Sequence, residues 1–211
     1  SAQTPSPSPS PSPTPSPIPT PTPSPSPSTQ VVPTGIARSG VNPTNTGSGI
    51  TVAVIDTGIQ LDHPDLSGKI VASTNCINPG ASANDGYGHG THVAGTITAT
   101  DNNFGVVGVS PGVNLAAVKV LDDQGYGTWS SVICGIDWVS ANSSTYNIKV
   151  ANLSLGGGGV SDNNCGLTNS DALHLSLCNS ASAGITYVVA AGNSGANADT
   201  FVPAAYNDAV I

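Results

Sequence analysis

The sequence predicts an α/β fold in which a mostly parallel central sheet is covered by helices on both faces. Short apolar runs of strand length recur along the chain, and longer helix-compatible stretches separate them. This alternation is typical of βαβ units built around a buried sheet. The strand candidates are residues 50–55, 115–121, 150–155 and 185–191. The helix candidates are residues 91–99, 129–141 and 169–183.

The order of these elements also predicts where a functional site lies. Parallel strands need crossover connections, which are right-handed and therefore place helices on both faces of the sheet. In such sheets, sites form beyond the carboxyl ends of the strands. Polar residues that directly follow a strand candidate are therefore the first residues to consider.

The chain divides into two regions near residue 30. Residues 5–27 alternate Pro with Ser or Thr almost without interruption. Because Pro lacks a backbone donor and fixes φ, this stretch is expected to be extended polyproline II rather than helix or sheet. We therefore predict a disordered Pro/Ser/Thr-rich linker over residues 1–29 and a globular domain over residues 30–211.

The amino-acid composition excludes some classes of binding partner and favours others. Charged residues make up 8% of the chain, the formal net charge is −8, and Lys and Arg together number 4. Because this leaves no basic surface for phosphates, we expect no nucleic-acid binding. No apolar run approaches the roughly 18 residues of a membrane helix, so we expect no membrane span. All 12 acidic residues are Asp, and an Asp-rich, Asn-rich surface suits an extracellular protein that holds calcium.

The 4 cysteines favour disulfides and an oxidising compartment. They form an even set without a CxxC pair, which argues against a zinc ribbon or thioredoxin-like chemistry. Three pairings are possible. The short spacing between Cys165 and Cys178 favours a local bridge there, which leaves Cys76 with Cys134. Buried free thiols are the alternative interpretation.

Three short segments place reactive side chains at the ends of these elements. Residues 52–58, VAVIDTG, run from an apolar strand through Asp56 into a Gly turn. Residues 88–96, GHGTHVAGT, place His89 between glycines at the start of a helix, with His92 three positions later. Residues 188–193, VVAAGN, end a strand at Asn193.

Each segment also has an ordinary structural interpretation when it is taken alone. Asp56 could cap the next element, as Asp often does after a strand. His89 could be a lone structural histidine. A zinc site at His89 and His92 is disfavoured, because no Cys or Glu is placed to complete it.

Together and in this order, the three segments resemble the subtilase (subtilisin-like, S8) family of serine proteases, over nearly all of residues 30–211. The resemblance implies a subtilisin-like fold and peptide-bond hydrolysis through an acyl-enzyme. It assigns Asp56 as the triad aspartate, His89 as the triad histidine and Asn193 as the oxyanion-hole asparagine. His92 matches the second, non-triad histidine of the family's motif. We expect the carboxylate, imidazole and carboxamide to converge around one point.

The sequence departs from the family pattern at the nucleophilic serine, whose motif it lacks. The family carries it in a Gly-Thr-Ser-Met-Ala-like segment at the start of a later helix, and no Gly-Thr-Ser occurs in these 211 residues. We expect that the sequence stops before that segment and that this polypeptide alone does not cleave peptides. Ser154, within NLSLG, matches a substrate-binding strand rather than the nucleophile.

The resemblance also implies where an extended polypeptide substrate binds. Two segments would pair with the substrate backbone as antiparallel strands. These are Gly125, Tyr126 and Gly127, and Ser154, Leu155 and Gly156. One wall of the pocket for the residue before the scissile bond would be formed by Ala190, Ala191 and Gly192, with Phe201 near its base. Plain turn formation is the alternative for the glycine tracts.

A calcium site is implied by residues 101–106, DNNFGV, which look like the family's calcium loop. Side-chain oxygens would come from Gln30, Asp65 and Asn102. Carbonyl oxygens would come from Thr100, Phe104 and Val106. Six hard oxygen ligands suit Ca²⁺ better than Mg²⁺ or zinc. An ordinary Asn-rich turn is the alternative.

The fold class is also compatible with two other classes of function, a binding module and a nucleotide-binding domain. A catalytically silent domain of this fold, displayed on a Pro-Ser stalk as a binding module, would carry Ala or Gly in place of the later serine. A nucleotide-binding domain is excluded, because no GxGxxG or Walker-type loop follows a strand candidate. The protease interpretation predicts a secreted monomer, whose partners are extended polypeptides and an inhibitory propeptide.

Overall fold

A computed structural model describes residues 29–40 and 46–211 of the chain. The predicted polyproline II segment lies outside these residues. The helices are α1 (Thr34–Arg38), α2 (His89–Thr98), α3 (Trp129–Asn142) and α4 (Ala172–Ser182). The strands are β1 (Thr51–Asp56), β2 (Ile70–Asn75), β3 (Asn114–Lys119), β4 (Ile148–Leu153), β5 (Gly157–Gly158), β6 (Thr186–Val189) and β7 (Phe201–Val202).

Five strands form one parallel sheet in the order β2-β3-β1-β4-β6. After β1 the chain forms the edge strand β2 and returns to β3 beside β1, and it then crosses to the other side of β1 with β4 and β6. Asp56 therefore ends the strand at which the direction of winding changes, which is where open α/β sheets form their sites. The predicted fold class is confirmed; in addition, β5 and β7 form a separate antiparallel pair.

The helices lie on both faces of the sheet because each face of the central strand is apolar. Ala53 and Ile55 of β1 pack in one core with Val132 and Ile136 of α3. Val52 and Val54 of β1 pack in a second core that includes Ala94 of α2. All six residues of β1 are buried, and the four between Thr51 and Asp56 are apolar.

Side-chain caps fix where α3 and α4 begin. Thr128 and Ser131 form a reciprocal capping box at the start of α3. Asp171 accepts hydrogen bonds from the N–H groups of Leu173 and His174 at the start of α4. Helix α2 begins differently: its N-cap residue, Gly88, has a φ of +101° and provides no side-chain cap.

Both predicted disulfides are present, Cys76–Cys134 and Cys165–Cys178. The first joins the end of β2 to α3, and the second joins the loop before α4 to α4 itself. The free-thiol interpretation is therefore wrong. Among the described residues, no helix combines the length and the apolar character needed to cross a bilayer.

A buried ionic cluster that the sequence analysis did not identify joins α4 to the last described residues. His174 is fully buried, and its Nε2 lies 2.5 Å from Asp208 Oδ1. Its Nδ1 lies 3.3 Å from Asp162 Oδ1, and its ring stacks on Tyr206 at a centroid separation of 4.0 Å. Two carboxylates on separate loops thus face the two nitrogens of one buried imidazole ring.

Candidate active site

The site centres on a direct contact between Asp56 and His89. Asp56 is the last residue of β1, and His89 is the first residue of α2. The Nδ1 atom of His89 lies 2.7 Å from Oδ1 of Asp56, within hydrogen-bond distance. The Asp56 side chain is completely buried, whereas the His89 side chain is 43% exposed. A buried carboxylate thus holds one nitrogen of an imidazole whose ring remains open to solvent.

Glycine allows α2 to approach the end of β1 closely enough for this contact. A Cβ atom on Gly90 would overlap the carbonyl oxygen of Gly58 and would lie 3.1 Å from the Asp56 Cβ. The Gly90 N–H instead donates to Oγ1 of Thr57, at 2.9 Å. The small residue after His89 is therefore a steric requirement of the site.

Burial sets the electrostatics of Asp56. Desolvation raises the pKa of Asp56 above its ordinary value of 3.8, although hydrogen bonds from His89 and from the Thr57 N–H oppose that rise. Oδ1 accepts both of those bonds, whereas Oδ2 is buried without a hydrogen-bond partner among the described residues. The carboxylate has therefore already lost its water before any substrate binds.

An open cleft of about 680 Å³ runs beside His89. It contains six of the nine residues that the sequence analysis assigned to substrate binding. These are Gly125, Tyr126, Gly127, Ser154, Leu155 and Gly156. Both predicted strand-like segments thus lie on one groove together with the imidazole, as an extended peptide would require.

The remaining predicted wall residues, Ala190, Ala191 and Gly192, do not line this cleft. They follow β6, and the Ala190 N–H donates to the Leu153 carbonyl at 3.2 Å, which ties them to the end of β4. The ring of Phe201 lies against Gly156 on one side and Gly192 on the other, and a Cβ atom on Gly156 would overlap it. Phe201 therefore fills space between these two segments.

Asn193 lies at the same edge of the sheet as Asp56. It is exposed in the loop that follows β6, and β6 is separated from β1 by β4 alone. Neighbouring strands lie about 4.8 Å apart, so the ends of β1 and β6 are separated by roughly 10 Å. The sheet thus brings the third predicted residue to the edge that carries the Asp56–His89 pair.

The predicted calcium ligands gather at a second place, where the residues before α1 meet the loop after α2. Asp65 is buried, and its Oδ1 has no hydrogen-bond partner among the described residues, while Oδ2 accepts from the Val106 N–H at 2.9 Å. The carbonyls of Thr100 and Val106 both lie within hydrogen-bond distance of Gln30, at 2.8 and 3.2 Å. An unpaired buried carboxylate oxygen beside converging carbonyls is a chemically suitable site for a hard cation.

Two side chains of this set have other partners in the structure. Gln30 directs Nε2, not Oε1, at the two carbonyls, and its Oε1 accepts from the Asn103 N–H at 3.1 Å. Asn102 Oδ1 accepts from the N–H of Phe104 at 2.9 Å. A half-turn of the Gln30 amide would exchange its two atoms, so the residues present fit Ca²⁺ with that change.

Comparison with known proteins identifies the family. A family model described as "Subtilase family" (Peptidase_S8) matches residues 47–211. The chain belongs to the subtilase family. The predicted resemblance is therefore confirmed.

Curated relatives of this subtilase are proteases by name. It is 44% identical over 169 residues to the "Extracellular serine proteinase" of Thermus sp. (strain Rt41A), covering 79% of this chain and 37% of that protein. It is 45% identical over 157 residues to Subtilisin E of Bacillus subtilis (strain 168), covering 74% and 37%. It is 42% identical over 185 residues to Subtilisin Savinase of Lederbergia lenta, covering 86% and 62%.

A solved structure described as that of "a cold adapted subtilisin-like serine proteinase" matches this subtilase with a TM-score of 0.66 at 39% identity. The match covers 77% of this chain and 53% of that one. The aligned part of the subtilase thus spans only 37% to 62% of the lengths of the three relatives above.

Eight residues that line the cleft of this subtilase were not predicted from the sequence. These are Thr57, Tyr87, Leu121, Thr128, Trp129, Val132, Gly157 and Gly158. Tyr87 lies two positions before His89, and its ring contacts Gly125 across the groove. Both Tyr87 and Trp129 are exposed, at 56% and 40%. The position of Tyr87 beside the His89 segment was the available sequence signal, whereas Trp129 is far from that segment in the sequence.

Proposed function

We propose that this subtilase is part of a secreted serine endopeptidase that hydrolyses extended polypeptides. The observation that carries the proposal is the 2.7 Å contact between Asp56 and His89 at the side of an open cleft. A histidine oriented by a buried carboxylate is the general-base arrangement of serine proteases. The names of the relatives support this activity and an extracellular location.

His89 is assigned the proton transfers. It takes the proton of a serine hydroxyl as that oxygen attacks the peptide carbonyl, and it later gives the proton to the leaving amine. Asp56 accepts the Nδ1–H hydrogen bond, which keeps Nε2 free to act as the base and stabilises the imidazolium. The Asn193 amide donates to the oxyanion; loss of such a donor costs about 3–4 kcal/mol of transition-state stabilisation.

The serine itself is assigned to a Gly-Thr-Ser segment beyond Ile211 in a longer chain. The absence of that motif from the 211 residues and the partial coverage of the relatives support this assignment. It follows that the 211-residue chain alone is inactive. The substrate backbone would pair with Gly125–Gly127 and Ser154–Gly156, while Ala190, Ala191 and Gly192 would border the residue before the scissile bond.

Calcium is proposed as a structural ion held by the loop after α2. The ligands would be the side chains of Gln30, Asp65 and Asn102 and the carbonyls of Thr100, Phe104 and Val106. The ion would neutralise the buried Asp65 carboxylate and join the residues before α1 to the rest of the domain. An inhibitory propeptide and a monomeric state complete the proposal.

The test uses the longer chain that includes the serine segment. His89→Ala should reduce kcat for a peptide substrate by at least about 10⁴-fold, because the base is lost. His92→Ala is the matched control, since His92 is an exposed histidine of the same helix, and it should retain wild-type kcat. Activity of His89→Ala within tenfold of wild type would remove His89 from the base role and overturn the proposed mechanism.

A further inference from the structure

Asp85 is a carboxylate outside the catalytic pair that accepts five hydrogen bonds. Its Oδ1 accepts from Oγ1 of Thr57 at 2.9 Å and from the N–H groups of Tyr87 and Gly88 at 3.0 and 2.8 Å. Its Oδ2 accepts from the N–H and from Oγ1 of Thr91, at 2.9 and 2.6 Å. All five donors come from two short segments, which places Asp85 where those segments meet.

The donors flank the two catalytic candidates. Thr57 directly follows Asp56, and its N–H donates to Asp56 Oδ1 at 2.7 Å. Gly88 directly precedes His89. Oγ1 of Thr57 also accepts from the N–H of Gly90, at 2.9 Å. A chain of hydrogen bonds through Asp85 and Thr57 therefore links the backbone on either side of His89 to the strand end that carries Asp56.

Asp85 also provides the side-chain cap that the N-cap residue of α2 cannot provide. The N-cap residue Gly88 has no side chain, so the first N–H groups of the helix need another acceptor. Asp85 accepts the N–H groups of Gly88 and Thr91, and its negative charge lies at the positive end of the helix dipole. Burial favours protonation of Asp85, but the hydrogen bonds from Thr91 and Gly88 outweigh it and lower its pKa.

We propose that Asp85 is a positioning residue for His89: it holds the start of α2 against the end of β1, so that the imidazole stays on Asp56. This inference rests on the proposed peptidase function. Asp85 does not line the cleft, and it acts through the groups that donate to it, which belong to Thr57, Tyr87, Gly88 and Thr91. Its loss should therefore affect turnover far more than substrate binding.

The kinetic test uses the same longer, active chain. Asp85→Ala should lower kcat about 100-fold, the size of effect expected when a catalytic group is displaced by about 1 Å, while KM changes less than about threefold. Asp85→Asn keeps one acceptor oxygen but turns an NH₂ group towards N–H donors on the other side, so its kcat should lie between those of Asp85→Ala and wild type. Asp62→Ala removes an exposed carboxylate that accepts from Gln60 Nε2 alone, and it should match wild type.

A second measurement separates positioning from general stability. In the wild-type protein, the His89 Nδ1 proton should give a low-field ¹H NMR signal that exchanges slowly because Asp56 holds it. In Asp85→Ala that signal should broaden or disappear at a temperature where the protein is still folded. Thr91→Val, which removes one of the five bonds and also the acceptor of the Gln60 N–H, should give an intermediate result if Asp85→Ala does not fold.

Different results would overturn the positioning role of Asp85 and the proposed peptidase function. An Asp85→Ala protein with kcat within threefold of wild type and an unchanged low-field signal would overturn the positioning role. If Asp85→Ala does not fold, wild-type kcat and signal in Thr91→Val would overturn it equally. A wild-type protein that shows the signal but hydrolyses no peptide would overturn the proposed function, while the effect of Asp85→Ala on the signal would still decide the role of Asp85.

Discussion

Asp56 and His89 differ in how far their side chains are exposed to solvent. The carboxylate is fully buried and the imidazole is 43% exposed, although their atoms are 2.7 Å apart. Proton transfer to a substrate needs an accessible imidazole, whereas a fixed orientation needs a partner that water does not compete for. The structure meets both needs by placing Asp56 at the end of a buried strand and His89 at the start of a helix beside the cleft.

The burial of Asp56 has a consequence for stability. Because desolvation raises the pKa of Asp56 above 3.8, the folded chain binds this proton more tightly than the unfolded chain does. Stability therefore falls as the pH rises through the interval between 3.8 and the raised pKa. We expect Asp56→Asn to raise the melting temperature at pH 7, and the difference from wild type to shrink as the pH falls towards 3.8.

Thermal unfolding of both proteins between pH 3 and pH 8 measures this effect. Asp62→Asn, which removes an exposed carboxylate, controls for the loss of one surface charge. A stability difference between Asp56→Asn and wild type that does not vary with pH would contradict the argument. In the longer, active chain the same substitution should lower kcat about 10⁴-fold, because the asparagine no longer selects the imidazole tautomer.

At the residue scale, the sequence was sufficient to predict that Asp56 and His89 lie together, whereas their catalytic roles stay a prediction. Each ends or begins an element within a glycine-flanked segment, so a local pattern identified it. Tyr87 and Trp129 were not identified, because a loop and a helix start bring them to the cleft through tertiary contacts. Asp85 was also missed: four of its five bonds are local, and the bond to Thr57, 28 positions away, is the one that joins α2 to the end of β1.

Helix α2 is the element on which the site most depends, and its small residues serve different purposes. Gly90 faces the carbonyl oxygen of Gly58, with no space for a methyl group. Gly95 lies in the same helix, and a Cβ atom built on it meets nothing within 4 Å. The two glycines thus offer a matched comparison between a steric requirement and a replaceable position.

We expect Gly90→Ala to destabilise the protein by about 1–3 kcal/mol, because the added methyl group must displace backbone atoms. It should also lower kcat at least about tenfold, since α2 is pushed away from Asp56. Gly95→Ala should leave kcat unchanged and keep or slightly raise stability, because alanine favours helix. Denaturant unfolding and peptide hydrolysis measure both variants; equal effects at the two positions would refute the steric argument.

At the element scale, the predicted strands and long helices were found with shifts of a few residues at their ends. The predicted stretch 91–99 corresponds to α2 at His89–Thr98, and 129–141 corresponds to α3 at Trp129–Asn142. β2 was missed because it is an edge strand in which exposed and partly buried residues alternate, so it lacks a continuous apolar run. β5 and β7 have two residues each, too few for any periodicity.

At the scale of the whole molecule, the proposed calcium ion would join parts of the chain that are far apart in sequence. Val31 forms a parallel bridge with Val106, and Gln30 contacts the carbonyls of Thr100 and Val106. The residues before α1 are held to the domain at this place. Among the described residues, Oδ1 of the buried Asp65 side chain has no hydrogen-bond partner, and a cation would bind it.

Removal of calcium by EDTA should therefore lower the melting temperature, and Asp65→Asn should lower it in calcium buffer while abolishing the response to EDTA. Asp101→Asn is the control, because Asp101 is exposed in the same loop and should respond to EDTA as wild type does. Differential scanning calorimetry with and without calcium gives the measurement. A wild-type melting temperature that is insensitive to EDTA would discard the site around Asp65.

The two disulfides reinforce only one side of the sheet. Cys134 belongs to α3 and Cys178 to α4, which pack together on one face, whereas α2 lies on the opposite face and neither bridge reaches it. Covalent crosslinks limit how far their own layer can expand in the unfolded state. The layer that carries His89 has no disulfide among the described residues, so heating should loosen the start of α2 and separate His89 from Asp56 before the layer of α3 and α4 loosens.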